Sequence, residues 1–241
     1  MKPIAYTISL LLAGCILCQC SAQEELKNAV KKYGPPGFEE AIREFERNDR
    51  AHFPPPGEIL VTGSSHIRMW KTIHEDLAPL TIIHRGYGGS TFNDAIAYAE
   101  RIMIPYRPRA ILIYSGNNDL RQVDPETVRD TCRAFVEKVR AQLPDVRFYI
   151  VSIPPAILGW EGKDAGMWPE RVKTNRLIRE YCDKAGLTWI NVAEGMFDEQ
   201  GEPRKEIFDR DDLHMKREGY FIWRDIILPV LYKNELERDC M

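Results

Sequence analysis

The sequence predicts an α/β domain in which a parallel β-sheet is covered by helices on both faces. From residue 58 onward, short runs rich in branched residues alternate with longer segments of helical period, which is the pattern of such a sheet. The runs are apolar almost throughout, as expected of strands that are buried on both faces. The predicted strands span residues 58–62, 80–84, 110–115, 147–153 and 187–192.

Helices are predicted between these strands from apolar residues that recur at spacings of three and four. The pattern is clearest in the third helix, whose buried stripe is Val128, Cys132, Phe135, Val136, Val139 and Leu143. The predicted helices span residues 67–78, 92–104, 125–143, 169–184 and 216–232.

Two further segments flank this alternating pattern. An extra helix is predicted over residues 37–49, and the Pro-Pro-Pro-Gly run over residues 54–57 separates it from the first strand. The charge run over residues 235–239 is expected to form a solvated tail.

The first 22 residues differ in composition from the rest of the chain. Lys2 is followed by an apolar run over residues 4–18 and then by small residues, which is typical of an export signal and too short for a membrane span. Residues 12–15, Leu-Ala-Gly-Cys, resemble a bacterial lipobox, whereas ordinary cleavage after Ala22 is the alternative, and both remain open. We therefore expect export from a bacterial cytoplasm, to a periplasmic, secreted or lipid-anchored form, with any membrane attachment through a lipid on Cys15.

Length and composition indicate one folded domain of ordinary globular type. The 241 residues are 44% apolar, enough to bury a full core. The expected organisation is an export signal over residues 1–22, a helical extension and Pro-rich linker over 23–57, and the main domain over 58–241. Loss of Lys2 with the signal changes the formal charge from -3 to -4, so nucleic acid is not an expected partner.

The cysteines do not form a disulfide framework. Three of the six lie in the predicted export signal, which leaves Cys132, Cys182 and Cys240, an odd number for an oxidising compartment. Cys132 and Cys182 fall on apolar faces of predicted helices, where each is interpreted as a small buried hydrophobic residue. A bridge between these two stays open.

Glycine-rich and polar motifs follow several of the predicted strands, where ligands bind in an open parallel sheet. The motifs are Gly63-Ser64-Ser65-His66, Gly86-Tyr87-Gly88-Gly89-Ser90, Gly116-Asn117-Asn118-Asp119 and Asp211-Asp212-Leu213-His214. Each alone has a simpler interpretation: a helix cap or phosphate-binding turn, a tight turn, a loop asparagine, or a capping aspartate. Their joint occurrence favours a catalytic site.

Acyl transfer needs an activated hydroxyl, a base, a carboxylate that orients the base, and donors for the developing oxyanion. Ser65, at a turn from strand to helix, supplies the hydroxyl and one backbone N–H. Gly89 leaves a second backbone donor unobstructed, and Asn118 offers a side-chain N–H. Asp211 and His214 are three residues apart, so one helical turn would place the carboxylate and the imidazole on one face.

These motifs, in this order, resemble those of the SGNH hydrolases, also called GDSL-type esterases and lipases. The resemblance covers nearly all of the chain after about Pro54. Ser65, Gly89, Asn118 and His214 match the four residues that name the family, and Asp211 matches its triad acid. The residue before the nucleophile is Ser64, where the family has Asp, and we expect this change to affect local hydrogen bonds without abolishing the chemistry.

The resemblance implies a flavodoxin-like three-layer α/β/α sandwich with a five-stranded parallel sheet of order 2-1-3-4-5. It also implies an acyl-enzyme mechanism that uses no cofactor and no metal. The expected partner is an ester-bearing small molecule or glycan.

Substrate and alternative functions are less constrained. Trp160 and Trp168 lie on the long irregular stretch over residues 154–168, where they suit stacking on a sugar or acyl group, or anchoring of the loop. Carbohydrate or other small esters are the expected substrates, and a lipid-directed acylhydrolase is the nearest alternative. A flavodoxin-like protein that binds phosphate at the Gly63 turn, and a module without catalysis, are the non-enzymatic alternatives. His66 follows Ser65 directly at the start of a predicted helix. Adjacent residues on a helix point in different directions, so His66 is not expected to be catalytic.

Overall fold

The computed structural model describes residues 37–162 and 164–237. The predicted export signal and most of the predicted extension, including both candidate processing sites, lie outside the described residues. The strands are β1 (Ile59–Gly63), β2 (Ile82–Gly86), β3 (Ala110–Tyr114), β4 (Arg147–Val151) and β5 (Thr188–Ile190). The helices are α1 (Glu39–Ala51), α2 (Ser65–Met69), α3 (Ile73–Asp76), α4 (Phe92–Ile102), α5 (Pro125–Arg140), α6 (Ile157–Trp160), α7 (Met167–Ala185) and α8 (Arg217–Glu235).

The five strands form one parallel sheet in the order β2-β1-β3-β4-β5, which confirms the predicted fold class. Side chains alternate between two cores: Leu60 of β1 joins the core under α1, α4, α5 and α7. Ile59 and Val61 join the core under α2, α3 and α8. This explains why the strands are apolar on both faces. Cys132 and Cys182 are free thiols buried in the first core.

The single helix predicted over residues 67–78 is wrong, because the chain forms two short helices there. α2 begins at Ser65 and ends at Met69, and α3 begins at Ile73. The break is stabilised by the Asp76 carboxylate, which accepts hydrogen bonds from Trp70 Nε1 at 2.6 Å and Thr72 Oγ1 at 2.7 Å. Side-chain hydrogen bonds of this kind compete with helix continuation and are invisible to an apolar period.

The expectation of a solvated tail from residue 235 is also wrong at its first residue. α8 extends to Glu235, whose side chain is completely buried. This carboxylate accepts hydrogen bonds from Arg147 Nε at 2.8 Å, from Arg109 Nε at 3.2 Å and from the Tyr149 hydroxyl. A buried charge is tolerated because several donors surround it. Residues 238–241 lie outside the described residues.

Candidate active site

Three strands end in one row at the carboxyl edge of the sheet and carry the predicted site residues. In the strand register, Gly63 pairs with Gly86 on one side and with Tyr114 on the other. Ser65, Gly89 and Asn118 follow these residues within a few positions. Gly63 has φ +132°, and a Cβ there would lie 2.0 Å from the Tyr114 carbonyl oxygen. Only glycine therefore allows the chain to turn so closely beside β3.

Ser65, His214 and Asp211 are joined by hydrogen bonds. His214 Nε2 lies 2.9 Å from Ser65 Oγ, and His214 Nδ1 is hydrogen-bonded to Asp211 Oδ2. An ionised carboxylate can only accept, so Nδ1 carries the proton and Nε2 presents its lone pair to the serine hydroxyl. The structure thus brings together residues 149 positions apart in the arrangement that deprotonation of a serine requires.

Asp211 reaches His214 through a tight turn, and the helical turn considered from the sequence does not form. Asp211 Oδ1 accepts the backbone N–H groups of Leu213 at 3.1 Å and His214 at 2.9 Å. Asp212 between them has φ +58°, a left-handed conformation that Asp tolerates better than most residues. Partial burial alone would raise the pKa of Asp211, but hydrogen bonds from the ring and backbone of His214 lower it to about 2. The carboxylate is therefore ionised at neutral pH.

The predicted oxyanion donors lie on the two loops that flank Ser65. Asn118 Nδ2 donates to the Ser90 carbonyl oxygen at 3.1 Å, which fixes the amide plane and leaves its second N–H available. Gly89, next to Ser90, has φ +88°. A non-glycine residue would be strained in this conformation. Glycine is therefore favoured here by the backbone conformation, and it also leaves the backbone N–H unobstructed.

Asp119 connects these two loops, and its role was not predicted. The buried carboxylate accepts from Phe92 N at 2.9 Å and from Gly116 N at 3.1 Å, so it ties the start of α4 to the turn after β3. Burial raises the pKa of Asp119 to about 6, against the effect of these backbone donors. Its position beside Asn118 in one motif was the signal that could have identified it.

Ser64 is buried at the N-cap of α2, and its backbone N–H donates to the Tyr114 carbonyl oxygen at 3.1 Å. His66, on the other side of Ser65, points into the core beneath the site. Its ring stacks on Trp223 with centroids 5.6 Å apart, and lies 5.6 Å from the ring of His214. Burial, aided by the nearby His214, lowers the pKa of His66 to about 3, so this imidazole is neutral.

α8 contacts the segment that follows Ser65, and the loop that carries Asp211 and His214 leads directly into α8. The Tyr220 hydroxyl donates to the His66 carbonyl oxygen at 3.0 Å, on the backbone that follows Ser65. Arg217, three residues after His214, donates to Asp76 Oδ1 at 2.6 Å. Burial would raise the pKa of Asp76, but hydrogen bonds from Arg217, Trp70 and Thr72 lower it to about 2. The ion pair anchors the chain that follows His214 to α3, which follows the Ser65 helix α2.

The structure brings Trp160 and Trp168 together with Phe197, which was not predicted. The ring centroids of Trp160 and Trp168 are 6.0 Å apart, and Phe197 lies 5.3 Å from Trp168. The Trp160 segment also touches the loop that carries Asp211 and His214, since Leu158 N donates to the Asp212 carbonyl oxygen at 3.0 Å.

A cavity of about 320 Å³ opens beside these rings at the edge strand β5. We call it the β5 groove. It is lined by Trp168, Trp189, Phe197, Asn175, Asn191 and Arg179, together with other α7 side chains and residues that follow β5.

Two classes of site are not found in the part of the chain that the structure describes. No group of three or more His, Cys, Asp or Glu side chains there is arranged to hold a metal ion. No helix among the same residues is long and apolar enough to cross a bilayer.

A three-layer sandwich that carries linked serine, histidine and aspartate at the carboxyl edge of its sheet has the architecture of a hydrolase. The model of the GDSL-like lipase/acylhydrolase family matches residues 60–222. The chain belongs to this family and is a carboxylic ester hydrolase. A search of curated proteins finds none that matches.

Solved structures share the fold at low sequence identity. A GDSL-like lipase from Bacteroides thetaiotaomicron is 17% identical, with a TM-score of 0.70 over 80% of this chain and 98% of its own. A catalytic mutant of an acetylxylan esterase from Geobacillus stearothermophilus is 16% identical, with a TM-score of 0.59 over 73% of this chain and 94% of its own. At these identities the likeness establishes the fold alone.

Proposed function

We propose that this protein cleaves carboxylic esters through an acyl-enzyme formed on Ser65. The observation that carries the proposal is the continuous hydrogen-bonded series from Asp211 through His214 to Ser65 Oγ. The ionised Asp211 holds the imidazole in the tautomer that accepts the serine proton, and it stabilises the imidazolium that forms.

In this mechanism His214 Nε2 takes the proton of Ser65 as Oγ bonds to the ester carbonyl carbon. The carbonyl electron pair moves to oxygen, where the N–H groups of Ser65, Gly89 and Asn118 stabilise the oxyanion. The intermediate collapses by breaking the bond to the alkoxy oxygen, which leaves as the alcohol with the proton from His214. Water, deprotonated by His214, then attacks the acyl-enzyme and releases the acid and free Ser65.

For the substrate we propose acetylated or similarly small esters on a carbohydrate. The β5 groove supports this choice, because it combines indole and phenyl rings with amide and guanidinium donors, as sugar binding requires. β5 is three strand spacings from β1, about 14 Å. A substrate that reaches both Ser65 and the groove therefore spans at least about 14 Å, as a short oligosaccharide does. An envelope location, reached through the export signal over residues 1–22, would suit such a substrate.

The test is covalent labelling of the purified protein with a fluorophosphonate, together with turnover of an aryl acetate. We expect Ser65→Ala to abolish labelling and to lower turnover by many orders of magnitude, because triad members act as a unit. Ser64→Ala, at the neighbouring serine, is the matched control and should still be labelled. Near-normal hydrolysis by Ser65→Ala would refute the proposal, and a phosphate-loaded protein that ignores the probe would favour a binding protein.

A further inference from the structure

Phe38, the residue before α1, packs against the loop between β2 and α4. A Cβ built on Gly89 would lie 3.8 Å from Phe38 Cε1, which is van der Waals distance. The Phe38 ring also meets Tyr87 edge to face, with centroids 5.4 Å apart. We propose that Phe38 is a positioning residue that holds the Gly89 backbone N–H at the oxyanion site. This inference rests on the proposed function.

Gly89 needs such support because the residue itself makes few contacts that would fix its position. It has no side chain, it is exposed, and its φ of +88° lies in a region that only glycine adopts freely. On one side, Arg68 covers the neighbouring Gly88, with Nε 2.6 Å from a Cβ built there. The Phe38 ring is the nearest group on the side of Gly89 where a side chain would project. An oxyanion donor acts only when it is preorganised, and a displacement of about 1 Å can cost 100-fold in rate.

α1 is a rigid base for this contact because it is anchored independently of the loop. Arg101 on α4 donates to Glu46 at 2.6 Å and to Glu39 at 2.8 Å. Asp49 at the other end of α1 pairs with Arg85 of β2, and Ile42 between them is fully buried. α1 precedes the residues that the family model matches, 60–222. The active site of this chain therefore extends beyond the part that the family model covers.

The chain offers a matched control in Phe45. Phe38 and Phe45 lie seven residues apart on the same side of α1 and are both half-buried. Phe45 packs on the Arg85 guanidinium, 5.1 Å from the ring centroid, instead of on Gly89. Phe38→Ala and Phe45→Ala should therefore lose similar amounts of stability, and only the first should affect the site.

The experiment measures kcat and KM for an aryl acetate, the rate constant of fluorophosphonate labelling, and the melting temperature. For Phe38→Ala we expect kcat and the labelling rate to fall about 10-fold with KM nearly unchanged, as for loss of a transition-state interaction. Phe45→Ala should keep both rates. Phe38→Tyr retains the ring and should restore them.

Equal rates for Phe38→Ala and Phe45→Ala, alongside an active wild type, would overturn the role of Phe38 and leave the esterase proposal standing. A wild type that neither turns over esters nor reacts with the probe would refute the esterase proposal itself. If Phe38→Ala does not fold, Phe38→Leu removes the ring that reaches toward Gly89 and Tyr87 while it keeps most of the apolar bulk that stabilises the fold. Full activity of Phe38→Leu would likewise overturn the proposal.

Discussion

At the scale of single residues, Asn118 shows how one hydrogen bond can fix the direction of a second N–H on the same amide. One of its amide N–H groups is donated to Ser90, so the other has a defined direction. Asn118→Ala should lower kcat by about 100- to 1000-fold, or about 3 kcal/mol, if that N–H stabilises the oxyanion. Steady-state kinetics with an aryl acetate measures the loss, and Asn93→Ala, on the first turn of α4, is the control. An unchanged rate would remove Asn118 from the site.

His66 makes stability depend on pH, and the sign follows from its burial. Its pKa is about 3 in the folded protein, against 6.5 for the free side chain. Below pH 6.5 the unfolded chain therefore binds a proton that the folded chain excludes, and this favours unfolding. Stability with respect to His66 is highest above pH 6.5 and falls as the pH falls. The loss should reach about 2 kcal/mol by pH 5.

Urea unfolding of wild type and His66→Phe at pH 7 and pH 5 measures this contribution. The variant keeps an aromatic ring on Trp223 and should lose less stability on acidification than wild type. His52→Phe, at an exposed histidine, is the control and should behave as wild type does. Identical pH profiles for all three proteins would contradict the role of His66.

At the scale of elements, the β5 groove between α7 and β5 is the feature that supports a carbohydrate ester as the substrate. Trp168 opens toward the β5 groove and also packs on Phe197. Trp168→Ala should raise KM for an acetylated oligosaccharide about 3- to 10-fold, the equivalent of about 1 kcal/mol of stacking. The same variant should hydrolyse an aryl acetate at the wild-type rate, because that substrate is too short to reach the groove.

The matched control is Tyr232→Ala, at an exposed aromatic residue on α8. It should leave both substrates unaffected. Equal losses of Trp168→Ala on both substrates would indicate a structural role for Trp168 and would remove the main support for a carbohydrate ester.

At the scale of the whole molecule, Glu235 ties the end of the described chain to the starts of the central strands. Its carboxylate is surrounded by Arg109, Arg147 and Tyr149, at the edge of the sheet opposite Ser65. Glu235→Ala leaves these donors without their shared acceptor, but the Arg109 and Arg147 side chains are 27% and 38% exposed and can be rehydrated. The fold should therefore lose about 2 to 4 kcal/mol. A melting temperature lower by about 10 °C is expected.

The comparison is Glu237→Ala, at an exposed carboxylate two residues further along. It should melt as wild type does. Because Glu235 and its partners lie at the edge of the sheet opposite Ser65, Glu235→Ala should retain its turnover at temperatures where it is folded. If Glu235→Ala melts at the wild-type temperature, the buried network around Glu235 makes no net contribution to the stability of the fold.

Local patterns in the chain were enough for the fold class, the five strands and the identity of the motifs. Strands buried on both faces must be apolar throughout, and a sheet edge that binds ligands must carry glycine and polar residues. Both features therefore produce patterns among residues that are adjacent in the sequence. Ser65, Gly89, Asn118, Asp211 and His214 were predicted as site residues for this reason.

Contacts between distant segments were decided only by the tertiary structure. The break between α2 and α3, the burial of Glu235, the tight turn at Asp212 and the approach of Phe38 to Gly89 each depend on groups that meet in space. A glutamate such as Glu235 looks the same in the sequence whether it faces water or three donor residues, because the energy that buries it comes from those partners. Sequence motifs therefore predict which reactive side chains the chain has, and tertiary packing determines where those side chains lie relative to one another.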